Sequence, residues 1–375
     1  MSLEADAAHV LRDPTQFERY ADLHGHDALT ATLVRHGIAP FVAFQRPDLP
    51  RLAAIRRDAM VQDALLSAEL RQICSALAAA QVRVLVLKGC AWAYSVYPVP
   101  WSRPRADIDL LVHPSDRTRA HDVLLALGFV QAHRVSGDLV SFQQAYSRTV
   151  AGGFTCAVDL HWMVTNRLAV GRRLDVAALF ANSRPLDAAG DEARELDLVD
   201  AITVACLHPL AHHPDDVELK WWLDVVLLAQ QLSPGDVEAL VQRAAARGVS
   251  PLLAHALEQA GQWALPAGTR PQVFEPSVLT QLTRGALASG AAGLLRSSRG
   301  HLDDLMSDLG ALPTWSERVR LVREHLLPPS AFMLGTPSGS QSRLALPWLY
   351  TRRIVSGGGR WLVAWVRYRI TRGRE

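Results

Sequence analysis

The sequence has little cysteine, and its cysteines form no pattern. Four cysteines are scattered over 375 residues without a Cys-x-x-Cys spacing, so the sequence suggests neither a zinc cluster nor a disulfide framework. No run of about 18 or more apolar residues is free of charge, so we expect no membrane span. The first residues lack a basic segment followed by an apolar one, which excludes a standard secretion signal. We therefore expect a cytoplasmic protein.

An excess of charge of one sign is also absent. Lys and Arg total 39 against 37 Asp and Glu, and this balance excludes a surface that binds nucleic acid everywhere. The charge is nevertheless uneven, because residues 343–375 carry +7 and the rest of the chain carries −5. Aromatic residues alternate with arginines in this basic tail, a pattern also typical of contact with nucleic acid or with a membrane surface. The opposite charges favour packing of the tail on the rest of the chain.

The composition is otherwise that of a folded protein. Apolar residues make up 49% of the chain, enough for a buried core. The length exceeds one typical domain of roughly 100–200 residues, so we expect two or three packed units. The predicted fold class is α+β, a small mixed β-sheet with flanking helices plus a larger helical domain. The predicted segments are an N-terminal helical region (1–80), an α/β core (81–197), a helical domain (198–327) and a linker with a basic aromatic C-terminal tail (328–375).

Local patterns place the elements. Runs of β-branched and apolar residues predict strands, and apolar residues at helical spacing predict helices. Ser233 begins a capping-box pattern for a helix that ends at Gly248. Pro209 and Pro214 predict a loop around the histidines between them, which we expect to be structural. The predicted strands are 81–87, 107–112, 139–150 and 154–164, and helices after the core are predicted at 198–210, 219–232 and 233–247.

The strongest local signal is the triplet Asp107-Ile108-Asp109. Alternate residues of a strand point to the same side of a sheet, so the two carboxylates project together and Ile108 faces away. Adjacent carboxylates repel each other, and Mg²⁺ or Mn²⁺ bridged to phosphate relieves that repulsion. The alternative is a strand edge with two solvated aspartates. The repulsion also predicts that Asn at either position does not lower thermal stability in the absence of metal.

Two further segments make the metal hypothesis coherent. Lys88-Gly89 follows a predicted strand and precedes a helical segment, where glycine lets the backbone approach a phosphate and free N–H groups point at an anion. Asp159 lies on a later predicted strand and would complete a two-metal site if that strand neighbours the Asp107 strand. His161 shares the face of Asp159 and would either orient a carboxylate or form a structural hydrogen bond.

These motifs, taken in order, resemble the uncharacterised nucleotidyltransferase family of the DNA-polymerase-β-like nucleotidyltransferase superfamily. The resemblance covers roughly residues 60–355, and the order of the motifs is more specific than any one motif. The matching strings are Val86-Leu-Lys-Gly89, Tyr97-Pro98, the segment from Arg103 to Val112, Leu127-Gly128-Phe129, Val158-Asp-Leu-His-Trp162, Leu207-His208, Lys220-Trp-Trp-Leu-Asp224 and Pro328-Pro329.

The resemblance implies an enzyme that moves a nucleoside monophosphate from a nucleoside triphosphate (NTP) to a hydroxyl or similar nucleophile and releases pyrophosphate. It implies a mixed sheet flanked by helices, with a helical domain that closes the nucleotide cleft. Asp107, Asp109 and Asp159 would be the catalytic residues and the ligands of Mg²⁺ or Mn²⁺. Asp159 would also help to deprotonate the attacking hydroxyl.

The resemblance also implies the residues that bind the nucleotide. Lys88 and Gly89 would form the phosphate-binding turn, although Cys90 stands where the wider superfamily has a serine that contacts phosphate. Arg103 would bind the triphosphate or hold the aspartates. Lys220 would reach the phosphates from the helical domain, and a salt bridge with the residue four positions later is the alternative.

The expected partners are an NTP and an unidentified acceptor. The acceptor would be a small molecule, a peptide or a protein, and nucleic acid is less favoured. Two other functions stay open, namely a catalytically silent nucleotide-binding scaffold and a toxin-type nucleotidyltransferase that acts on RNA. The presence of all three aspartates counts against the first, and the basic tail is the only support for the second.

Overall fold

Helices form the N-terminal part of the chain. The computed structural model describes residues 2–132, 137–213, 216, 218–296, 300–334 and 343–355. The first helices are α1 (Leu3–Arg12), α2 (Phe17–His24), α3 (His26–Arg35), α4 (Ala39–Gln45) and α5 (Ala53–Ala79). The sequence of α5 contains no glycine or proline, so helix is favoured over its whole length. Leu66, Leu70, Ile73 and Leu77 form its buried stripe, as their spacing predicts.

The middle of the chain forms one mixed sheet, which confirms the predicted fold class. Its elements are β1 (Val84–Val86), α6 (Lys88–Ser95), β2 (Asp107–Val112), α7 (Arg117–Ala126), β3 (Val130–Gln131), β4 (Gln143–Thr149), β5 (Thr155–His161), α8 (Leu168–Gly171), α9 (Val176–Asn182), β6 (Arg184–Pro185) and β7 (Arg194–Glu195). The strand order in the described residues is β3-β4-β5-β2-β1-β7-β6. β2 pairs with β5, and β1 with β7, in parallel, and the other pairs are antiparallel.

The sequence predicted the central strands better than the edges. β2 has the bounds that were predicted, and β1, β4 and β5 lie inside the predicted runs. β3, β6 and β7 were not predicted. Each has only two residues, so none offers the alternation by which a strand is recognised.

Helices follow the sheet as expected. They are α10 (Leu198–His212), α11 (Leu219–Gln231), α12 (Pro234–Arg247), α13 (Ser250–Trp263), α14 (Pro276–Thr283), α15 (His301–Ala311), α16 (Trp315–Leu326) and α17 (Ser330–Leu334). The predicted capping box of α12 is confirmed, since the Ser233 hydroxyl and the Asp236 carboxylate each accept a backbone N–H of the other residue. Gly248 ends the helix in the left-handed conformation with φ of 67°.

The loop predicted between Pro209 and Pro214 is wrong at its start, because α10 continues past its predicted end at residue 210 to His212. A proline within a helix costs about 3 kcal/mol. Eleven of the 15 residues of α10 are buried, so its packing outweighs that cost. His208 and His212 consequently lie one turn apart on the same face of the helix. Pro214 lies outside the described residues.

Buried apolar side chains connect these regions. One cluster extends along the chain from Ala7 to Leu294 and includes both faces of the sheet. A second cluster joins Phe142 and Trp162, near the β4 and β5 ends, to Leu305 and other residues of α15 and α16. The boundaries at 80, 197 and 327 remain predictions.

Most of the basic tail lies outside the described residues. Within residues 343–355, the Leu349 side chain is buried and the Tyr350 hydroxyl donates to the Pro328 carbonyl at 2.6 Å. Packing of residues 356–375 on the rest of the chain stays a prediction. A separate prediction concerned the membrane: in the described part of the chain, no helix is long and apolar enough to cross one.

Candidate functional site

The strands that carry the three aspartates are neighbours. β2 and β5 run parallel with Asp109 directly opposite Asp159. Opposite residues project from the same face of a sheet, and adjacent strands lie about 4.8 Å apart. Ile108 and Leu110 project from the other face and are fully buried. The sheet register therefore brings Asp159 beside Asp109.

Asp109 is the most strongly bonded carboxylate of the site. Its Oδ1 atom accepts a hydrogen bond from Lys88 Nζ at 2.9 Å and another from His161 Nε2 at 2.8 Å. Burial alone would raise the pKa of Asp109, but the Lys88 charge and the His161 hydrogen bond hold it well below its usual range. The buried His161 Nδ1 has no hydrogen-bond partner in the described chain, so the ring proton belongs on Nε2. His161 thus bonds to a carboxylate of the site, a contact that fits both of its predicted roles.

The backbone places Lys88 next to Asp109. β1 is antiparallel to β2, and the Leu87 N–H extends this pairing by donating to the Asp109 carbonyl at 2.9 Å. Lys88 then has φ of 47°, a left-handed conformation that is uncommon for a residue with a side chain. This conformation turns the chain from β1 into α6 and places the Lys88 ammonium group at the Asp109 carboxylate of β2.

Asp107 lies two residues before Asp109 on the same face of β2. Its carboxylate forms no hydrogen bond or ion pair with any described residue. Burial, followed by the carboxylates of Asp109 and Asp159, raises its pKa to about 6 against the opposing charges of Lys88 and Arg103. The charges of Lys88 and Arg103 therefore offset only part of the cost of ionising Asp107.

A chain of amides holds Asp159. The Gln143 Nε2 donates to Asp159 Oδ2 at 3.0 Å, and Asn166 Nδ2 donates to Gln143 Oε1 at 3.1 Å. Asn166 Oδ1 in turn accepts the Phe142 N–H at 2.7 Å. Sequence reasoning missed both amide residues, because a glutamine on a strand and an asparagine after one match no catalytic pattern.

The donor set fits a divalent cation. Carboxylate oxygens of Asp109 and Asp159 lie within 4.8 Å of each other and of the His161 ring, whose Nε2 is bonded to Asp109, and Asp107 is next along the same face. Burial raises the pKa of Asp159 as well, with a contribution from the Asp109 carboxylate, so negative charge is costly here. A cation removes that cost, and carboxylate oxygens are the ligands that Mg²⁺ and Mn²⁺ prefer.

The turn after Lys88 packs against Arg103 and β2. A Cβ atom on Gly89 would lie 3.5 Å from the Arg103 guanidinium, an ordinary contact distance. The Cys90 thiol donates to the Asp107 carbonyl at 3.4 Å, and burial raises its pKa to about 12. The residue at the superfamily serine position therefore bonds to strand β2.

Arg103 is bound within the protein. Its Nε and Nη2 atoms donate to the two carboxylate oxygens of Asp224 at 2.7 and 2.8 Å, and Nη1 donates to the Pro104 carbonyl. The Tyr97 hydroxyl also donates to Asp224 at 2.7 Å, and all three side chains are buried. Asp224 was missed as a functional residue, although it closes the family-like string that begins at Lys220.

Lys220 lies at the start of α11. Its ammonium group pairs with Glu218 and lies 5.7 Å from the Trp221 ring centroid, while its stem packs against Gly37. The alternative salt bridge with Asp224 is wrong, because that carboxylate binds Arg103. None of these contacts joins Lys220 to the carboxylates of β2 and β5.

Histidines fill the space between α10 and α11. His213 lies over Trp221 with ring centroids 4.3 Å apart, and His212 Nε2 bonds to the Thr165 hydroxyl at 2.8 Å. Burial lowers the pKa of His212 to about 3, with the Lys88 charge acting in the same direction. The lowered pKa favours the uncharged form of His212 at neutral pH, and a structural role for these histidines stays a prediction.

The unpaired charge of Asp107 makes a testable contribution to stability. Because its folded-state pKa of about 6 exceeds the value of 3.8 for a free side chain, ionisation costs stability as the pH rises between these values. In EDTA we expect Asp107→Asn to stabilise the fold above about pH 6 by up to about 3 kcal/mol, and to have little effect near pH 4. Urea unfolding of both proteins across this pH range measures the difference. A constant difference across the range would contradict the assigned repulsion.

Comparison with known proteins gives one family match. The family described as uncharacterised nucleotidyltransferase matches residues 18–266, about two thirds of the chain. The match begins before the resemblance found in the sequence and ends before α14, and every predicted site residue lies within it. Curated proteins give no match.

Proposed function

The chain belongs to the uncharacterised nucleotidyltransferase family, and from this premise we propose which reaction it catalyses. It is a nucleotidyltransferase and uses an NTP. In our proposal it moves a nucleoside monophosphate from the NTP to a hydroxyl of a small molecule, peptide or protein and releases pyrophosphate. The observation that carries the proposal is the pairing of Asp109 with Asp159 on the sheet face next to Lys88.

The carboxylates are proposed to hold Mg²⁺ or Mn²⁺. Asp107, Asp109 and Asp159 would be its ligands, and the bound metal would neutralise phosphate charge and lower the pKa of the acceptor hydroxyl. Asp159 would accept the hydroxyl proton, since its pKa is raised and Gln143 fixes one of its oxygens. His161 would orient Asp109 through its hydrogen bond without binding the metal itself.

The nucleotide is proposed to lie across the start of α6. Backbone N–H groups of the first helical turn have no intrahelical partner, so the turn at Lys88 and Gly89 would receive phosphate oxygens. Lys220 would approach from α11, where it lies beside the Trp221 ring. The donors of Arg103 are occupied by Asp224, so we assign it to holding β2 in place and not to the triphosphate.

Label transfer tests the proposal directly. The protein is incubated with each NTP labelled at the α-phosphate or at the γ-phosphate, with Mg²⁺ or Mn²⁺, and with candidate small-molecule, peptide and protein acceptors. We expect the α-label on the acceptor, the γ-label in pyrophosphate, and loss of both products in EDTA. Asp122→Asn, an exposed substitution on α7, serves as the control variant and should behave as the parent protein.

Other outcomes identify other functions. Transfer of the γ-label would mean phosphoryl transfer and would overturn the proposal. NTP binding without transfer to any acceptor class would favour the silent scaffold. Transfer to RNA that falls steeply with salt would favour the toxin-type alternative.

A further inference from the structure

The chain contains only two lysines, Lys88 and Lys220, among its 39 basic residues. Arginine is always charged and holds a rigid fork of donors, whereas lysine carries a compact charge on a flexible stem that can change partners. Lys88 is largely but not fully buried, with 13% of its side chain exposed, and its ammonium group contacts Asp109. One of the two residues best suited to change partners therefore lies at the carboxylates.

The Lys88 ammonium occupies the place where a cation would act. It lies 2.9 Å from Asp109 Oδ1, the atom that also accepts the His161 hydrogen bond. A divalent cation on the other oxygen of Asp109 would lie within a few ångströms of this ammonium group. Like charges at that separation repel strongly in a partly buried site. Lys88 and the metal therefore compete for one carboxylate.

We propose that Lys88 changes partners when the nucleotide binds. In the free enzyme it pairs with Asp109 and keeps divalent metal weakly bound. When the metal arrives with an NTP, Lys88 moves to an oxygen of the triphosphate and releases Asp109 to the metal. The inference rests on the proposed function, because it takes a triphosphate as the second partner.

This exchange couples the two ligands. The metal binds better once Lys88 has a phosphate partner, and by linkage the nucleotide binds better by the same factor once the metal is present. The polyphosphate carries more negative charge than a single carboxylate, so the exchange has a driving force. Tight metal binding then occurs only together with the nucleotide.

Metal titration without turnover tests the exchange. Mn²⁺ binding is measured by electron paramagnetic resonance and by calorimetry for the parent protein, Lys88→Met and Arg57→Met, with and without an α,β-methylene NTP. Without nucleotide we expect Lys88→Met to bind Mn²⁺ at least about tenfold more tightly than the parent, and the exposed control Arg57→Met on α5 to bind it equally well. With the analogue, the gain in Mn²⁺ affinity should be large for the parent and much smaller for Lys88→Met.

The controls separate the possible failures. Lys88→Gly is the second variant if Lys88→Met is unstable, because glycine adopts the left-handed conformation of this position without strain. Unchanged or weaker Mn²⁺ binding by both variants without nucleotide would overturn the exchange. Failure of the analogue to bind the parent protein with Mn²⁺ would instead count against the proposed function, and the comparison without nucleotide would still decide the competition.

Discussion

Asp109→Asn is expected to reduce nucleotidyl transfer at least about a thousandfold, which corresponds to about 4 kcal/mol of transition-state stabilisation. The amide has no charge to offer a divalent cation and also ends the ion pair with Lys88. Rates of α-label transfer at saturating metal, measured with the variant and the parent, give the ratio. Mn²⁺ titration provides a second readout and should show that binding is lost.

Two comparisons make this expectation specific. Asp122→Asn makes the same chemical change at an exposed position of α7 and should retain full activity. Circular dichroism and thermal melting establish that the Asp109→Asn protein is folded before its activity is compared. Turnover within a factor of about ten of the parent, in a folded variant, would remove Asp109 from the proposed metal site.

The contacts of Asp109 change the stability expected of the same variant. The sequence predicted that Asn at either Asp107 or Asp109 does not lower stability, because the two carboxylates repel each other. Asp109 is instead bonded to Lys88 and His161, so its loss leaves a buried ammonium group without that partner. We expect Asp109→Asn to lower the melting temperature in EDTA and Asp107→Asn to raise it at neutral pH.

The pattern of neighbouring residues was sufficient to predict the strand at the centre of the site. The alternation of Asp107, Ile108 and Asp109 predicted which side chains share a face, and the strand was found with the predicted bounds. The parallel register of Asp109 with Asp159 could not be predicted from either strand alone. Residues in a parallel pair are joined by a long crossover, and nothing local specifies which strands become neighbours.

The features that the sequence did not predict depend on partners that lie far apart in the chain. Gln143 and Asn166 support Asp159 only because β4 lies beside β5, and neither residue type signals that role. The last turn of α10, after Pro209, is a second example, because its local signal favours a loop and tertiary burial overrides that signal. The lysine count was available in the sequence, but its meaning depends on where the fold places Lys88.

The second large expected effect is a loss of stability when the buried pair of Arg103 and Asp224 is broken. The side chains of Arg103 and Asp224 are 7% and 1% exposed. Two hydrogen bonds join them, so the pair links the segment before β2 to α11. Removing one partner of such a pair leaves an uncompensated buried charge, which costs about 3–5 kcal/mol. We expect Asp224→Ala to destabilise the protein by this amount in urea unfolding. Tyr97 would also lose the acceptor of its hydroxyl.

A double substitution and a surface pair separate charge from packing. The double variant Arg103→Met, Asp224→Leu removes both charges and keeps apolar volume, so it should be more stable than Asp224→Ala. Arg35→Ala breaks the exposed pair with Glu4 and should cost at most about 1 kcal/mol. If Asp224→Ala cost no more than Arg35→Ala, the buried pair would not secure β2. Arg103 would then be available for the triphosphate, the other role that the sequence allowed it.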